Sequence, residues 1–181
     1  TLAPRRFPSW IRNIAAVFIL GIGLSLAWLM FSSPDVGTLA DGQLMEIYVA
    51  PRAFMGESAN ADSNWENAIS AYREGQFSVA VAAIESSVDK SSEKLDEKHF
   101  YLGLSYLYED VPNYEKAISH LATSKELNSS ALFAPKANWF MALAYLKQGK
   151  IKEAKTLLLL LINENATNWK KAEATALLNK I

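Results

Sequence analysis

The chain has 181 residues, half of them apolar, with no cysteine and a formal net charge of −1. That is enough for one domain with a sizeable core and a short extra segment. Without cysteine, disulfide frameworks, thiolate zinc sites and cysteine nucleophiles are all excluded. The scattered lysines leave no nucleic-acid footprint.

The charge is unevenly spread. Arg5, Arg6 and Arg12 are the only charges before Asp35. From Ser32 to Ala131 there are 16 acidic residues against 7 basic ones, and from Leu132 to Ile181 there are 3 against 8. An acidic half followed by a basic half could steer a charged partner, and local solubility explains it equally well. Residue 1 is Thr, so the numbered chain is expected to lack its original start.

Ile14 to Phe31 is an apolar run of 18 residues interrupted only by Ser25. At the helical rise of about 1.5 Å per residue it is roughly 27 Å long, close to the thickness of a bilayer's hydrocarbon. Trp10 and Trp28 lie near its ends, where indoles favour the interface. The expectation is a transmembrane helix over 13–31, with a cleaved signal peptide or a buried core helix as rivals. Three arginines before the run and acidic residues after it place residues 1–12 in the cytoplasm and the remainder outside, in a bacterium the periplasm. Gly21 with Ser25, and Gly23 with Ala27, form small-xxx-small pairs through which the span could contact another membrane helix. Residues 32–63, rich in Pro, Gly, Ser, Asp and Asn, read as a linker with one short strand or turn over Leu44 to Val49. Asp62, Ser63 or Asn64 can cap the helix that follows.

From residue 64 to 181 the chain repeats itself. First helices are expected at Trp65–Arg73, Glu97–Tyr108 and Pro135–Lys147, and second helices at Ser78–Val88, Tyr114–Glu126 and Lys152–Asn163. Ala80, Ala117 and Ala154 recur at an interval of 37 residues, each followed four positions later by Ile84, Leu121 or Leu158. Ala68, Gly103 and Ala142 fall where paired helices cross and bulk would hold them apart. Gly75 and Gly149 suit tight turns that need positive φ. Lys155-Thr-Leu-Leu-Leu-Leu-Leu-Ile162 reads as apolar all round and implies cover on several sides. Trp169–Ile181 reads as a final capping helix packing through Ala172, Ala176 and Leu177.

These motifs resemble the tetratricopeptide repeat family. Leu102-Gly103-Leu-Ser-Tyr106 with Ala117 and Leu121, and Trp139 through Tyr145 with Gly149 and Ala154, carry the similarity. The first unit is looser, and Glu109-Asp-Val-Pro-Asn113 lengthens the second turn and lacks its glycine. The resemblance covers Trp65 to Ile181. It implies an all-α solenoid of about three helix pairs plus a cap, and a concave groove built from first helices. Matched by position, that groove is lined by Trp65, Ile69, Arg73, Phe100, Leu104, Tyr108, Trp139, Leu143 and Lys147. Aromatic and Arg side chains are the types that anchor interfaces; packing between neighbouring repeats is the alternative role for the aromatics.

No chemistry is legible. His99 and His120 have no metal-spaced partner in sequence, and no carboxylate sits in an apolar frame that suggests acid–base work. No phosphate loop or nucleophile elbow is present. The expectation is a non-catalytic scaffold or adaptor without cofactors. It would bind other proteins, as a subunit or accessory of an envelope membrane complex, and the bilayer through one helix, but no nucleic acid. The alternative is a signalling protein whose outer domain senses a ligand for a cytoplasmic region upstream of Thr1.

Overall fold

The computed structural model describes residues 36–49, 63–90, 94–127, 132–163 and 168–181, all within one compact unit, Val36–Ile181. Eight helices follow in order: α1 (Val36–Leu44), α2 (Ser63–Arg73), α3 (Phe77–Lys90), α4 (Leu95–Tyr108), α5 (Tyr114–Leu127), α6 (Ala134–Lys147), α7 (Ile151–Asn163) and α8 (Lys171–Leu178). No strand occurs among the described residues. The described residues are all-α and repeat-like, with the general character of an α-solenoid.

The transmembrane helix is not borne out. Among the described residues no helix is long and apolar enough to cross a membrane. The run over 13–31, with Gly21, Gly23, Ser25 and Ala27, lies outside the described residues.

Three hairpins, α2–α3, α4–α5 and α6–α7, stack in sequence. Each second helix packs on the first helix of the next pair, α3 on α4 and α5 on α6, and α4 also meets α6. The recurring small residues make this possible. Ala80, Ala117 and Ala154 are fully buried, as are Ile84, Leu121 and Leu158. A Cβ added at Gly103 would lie 2.7 Å from Leu121 Cγ and 3.0 Å from the Ala117 carbonyl oxygen, so α4 and α5 touch where neither can carry bulk.

The turns follow from local chemistry. Gly75 has φ 76° and Gly149 φ 70°. Each completes the same pair of bonds: Gly75 N–H to Tyr72 O with Gln76 N–H to Ala71 O, and Gly149 N–H to Leu146 O with Lys150 N–H to Tyr145 O. This left-handed cap satisfies carbonyls that the ending helix leaves orphaned. The second turn needs no glycine. Asn113 donates its N–H to Tyr106 O, and its side-chain oxygen accepts from Lys116 N–H, capping α5.

Four expectations are corrected. The stretch expected as a tether contains α1, whose buried Gly37 and Ala40 share the face that meets α6. Two glycines lower the intrinsic helix propensity, and the tertiary contact overrides it. Leu44–Val49 is not a strand; beyond Leu44 it is irregular backbone. The leucine run is not covered all round: Leu157, Leu158 and Leu161 are buried, but Leu159 and Leu160 are about half exposed. The cap is only Lys171–Leu178 and packs through Ala174 and Leu177, while Ala172 and Ala176 face solvent.

Gly103→Ala gains helix propensity of about 1 kcal/mol but must displace a fully buried leucine, a type of overpacking that costs about 1–3 kcal/mol. The expected net is a lower Tm by thermal unfolding. Gly75→Ala and Gly149→Ala, whose Cβ positions are open, should each cost about 1 kcal/mol through backbone strain alone.

Candidate functional site

The first helices α2, α4 and α6 form one wall, and the chain's own segment Val36–Val49 lies against it. Lys147 Nζ on α6 meets Asp41 Oδ1 on α1 at 2.6 Å. Both groups are partly exposed, so this pair fixes orientation more than it stabilises. Beyond α1, the hydroxyl of Tyr108 donates to the Glu46 carbonyl at 3.1 Å and accepts from the Tyr48 amide. The Tyr72 hydroxyl donates to the Tyr48 carbonyl at 2.8 Å. Two wall tyrosines thus grip the main chain of residues 46 and 48, and we call residues 45–49 the strap.

The Tyr48 side chain fills a socket of rings: Phe100 at 5.7 Å edge-on, Phe140 at 5.9 Å and Trp169 at 6.0 Å. Edge-to-face pairs of this kind contribute about 0.5–1.5 kcal/mol each beyond the area they bury. Burial pushes the Tyr48 and Tyr108 phenols up to about 12, and Tyr72 is raised well above its usual range for the same reason. All three phenols are neutral at physiological pH, and Tyr72 and Tyr108 act as donors. Ile47 and Val49 turn outward, each about two-fifths exposed.

Beside the strap opens a trough of about 580 Å3. Glu46, Ile47, Tyr48 and Val49 form one bank; Leu132, Lys136, Trp139 and Phe140 form the other, and Trp169 and Lys170 close its end. Lys136 Nζ donates to the Leu132 carbonyl at 2.7 Å and lies over the rings of Tyr48 and Trp169 at 5.9 and 5.8 Å. Burial pulls this ammonium below its usual range.

Of the nine residues expected to line the groove, Trp65, Ile69, Phe100, Leu104, Trp139 and Leu143 are buried. Arg73 is exposed, and Tyr108 and Lys147 are half-buried. The aromatics pack mostly on one another, Trp65 on Tyr101 and Phe100 on Phe133. Tyr108 and Lys147 hold the strap and α1, and Trp139 borders the trough. Tyr48, Tyr72, Lys136 and Trp169 were missed, because nothing local in the sequence shows that a linker residue and a pre-helix tryptophan meet over α6.

Two titratable features also escaped the sequence. Glu97 is buried, and burial pushes its carboxyl up to about 7; Lys94 opposes the rise, and Asp96 and Glu66 add to it. His99 and His120 do have a partner, each other, across α4 and α5. Their Nδ1 atoms are 3.1 Å apart, and the centroids are 5.3 Å apart with planes 18° from parallel. That separation is close to the bond plus two ring radii, so the nitrogens point at each other and share one proton in line. No group of three or more possible metal ligands occurs among the described residues. Tyr106 stacks on His120, hydrogen-bonds to Glu85 and accepts from Lys116 at 3.0 Å.

The chain matches no family model, no curated protein and no solved structure.

The two features give opposite pH dependences. The raised Glu97 contributes stability that is complete below the ordinary carboxyl pKa and is lost as pH rises through about 7. Burial lowers both histidines, so they contribute stability present above 6.5 and lost as pH falls through their lowered values. Glu97→Gln should therefore raise Tm at about pH 8 and make no difference near pH 4. For His120→Gln, Tm should fall less between about pH 7 and 5 than for the parent. Circular-dichroism melts across pH read both.

Proposed function

We propose that this chain is a non-catalytic protein-binding scaffold of tetratricopeptide-repeat kind, whose wall of first helices holds extended segments of partner proteins. The observation that carries this reading is the strap. The wall receives a non-helical piece of polypeptide through main-chain contacts from Tyr72 and Tyr108, while one ring, Tyr48, enters an aromatic socket. Gripping main chain gives affinity and a side-chain socket gives selectivity, which is the economy of peptide recognition. The fixed 37-residue interval of buried alanines and the left-handed glycine turns support the repeat assignment. A partner segment bearing an aromatic residue would take the place that Tyr48 now fills. The proposal concerns the unit Val36–Ile181, and no membrane span is part of it.

The test uses a peptide with the sequence of Gly42–Val49 and two forms of the chain. Tyr48→Ala empties the socket, so this variant should bind the peptide in trans, whereas the parent, with its own strap seated, should bind it at least about tenfold more weakly. Adding Tyr72→Phe and Tyr108→Phe to the Tyr48→Ala chain should abolish most of that affinity. If neither chain binds the peptide in a calorimetric titration, the wall does not recognise extended segments and the reading fails.

A further inference from the structure

We propose that the trough beside the strap is a binding site for an apolar carboxylate, an anion on an aryl or alkyl body, with Lys136 as its counter-charge. This goes beyond protein binding and stands whether or not the wall holds partner segments.

Lys136 carries the inference. Its ammonium is half-buried, yet among the described residues no carboxylate pairs with it. One of its three donors goes to the Leu132 carbonyl, and the faces of Tyr48 and Trp169 offer only partial compensation. A partly desolvated cation without a counter-ion is costly and is relieved by an anion that arrives with its own apolar cover. The neighbouring lysine is already engaged, since Lys170 pairs with Glu173 at 3.0 Å. Glu46, the acidic residue on the bank, is exposed, so the more buried of these two charges in the trough is the Lys136 cation. That polarity favours an anion seated inward.

The walls select the rest of the ligand. Trp139 and Trp169 stand edge to face at 6.4 Å, and Phe140 packs on Trp169 at 6.2 Å, giving a ring-lined floor. A volume of about 580 Å3 is within the usual span for small-ligand sites. An aromatic cage alone would suit a quaternary ammonium, but Lys136 repels cations.

The test titrates the 181-residue chain with phenylacetate, octanoate, phenylacetamide and phenethylamine, by calorimetry and indole fluorescence. Phenylacetate or octanoate should bind saturably with Kd of about 1 mM or below, and the tighter of the two shows whether the body is aryl or alkyl. Phenylacetamide should bind at least about tenfold more weakly, and phenethylamine not at all. Lys136→Gln should lose about tenfold of the affinity for the acid while Lys136→Arg retains it. Equal binding of acid and amide, an unchanged Lys136→Gln, or no saturation by either acid at about 10 mM would each overturn the proposal. If circular dichroism shows Lys136→Gln unfolded, the acid-to-amide ratio in the parent decides.

Discussion

Close approach of paired helices is the constraint on which the rest of the molecule depends. At Gly103 the backbone of α4 comes against Ala117 and Leu121 of α5 with no room for a methyl group. The buried alanines at 80, 117 and 154 set the same narrow spacing in each pair. Interiors packed to crystal-like density do not deform to admit an extra carbon at no cost. Helix spacing fixes where each hairpin's first helix stands, and three such helices in register make the wall. The strap, its socket and the trough all rest on that wall.

The wall's tyrosines have two roles at once. The Tyr72 ring packs edge-on against Tyr101 at 5.0 Å and Phe77 at 5.6 Å, while its hydroxyl reaches the strap. Tyr108 stacks on Phe77 at 5.4 Å and reaches the strap in the same way. A buried phenol needs a partner for its polar end, and here the partner is main chain. The same hydrogen bonds that satisfy the core therefore also hold the strap's main chain. Loss of the strap would return both hydroxyls to water and uncover the rings that Tyr48 packs against.

The fold was legible because its determinants are local and periodic. Alanines at a fixed interval, aliphatics four residues on and glycines at two turns placed six helices to within about two residues. Asn113 shows why the irregular second turn could still be read, since a polar side chain replaced the glycine as the punctuating residue. The site was far less legible. Val36–Leu44 carries two glycines and reads as tether, yet it is helical because α6 offers a face for Gly37 and Ala40. Tyr48 meets residues 52 to 121 positions away, and no propensity records that meeting. His99 and His120 likewise looked solitary until facing helices brought them within a hydrogen bond. Glu97 looked solvated because burial comes from its neighbours on other elements, not from its own stretch of sequence.

The strap has a kinetic and competitive consequence. It belongs to the same polypeptide as the wall, with only residues 50–62 between it and α2. A short intramolecular connection holds a segment near its seat at an effective concentration on the order of millimolar. A free segment with identical chemistry would therefore lose the contest at any ordinary cellular level. Under the proposed partner binding, what succeeds would have to bring several contacts at once, or arrive on an assembly that already sits nearby, so occupancy of the wall would report proximity as much as intrinsic affinity.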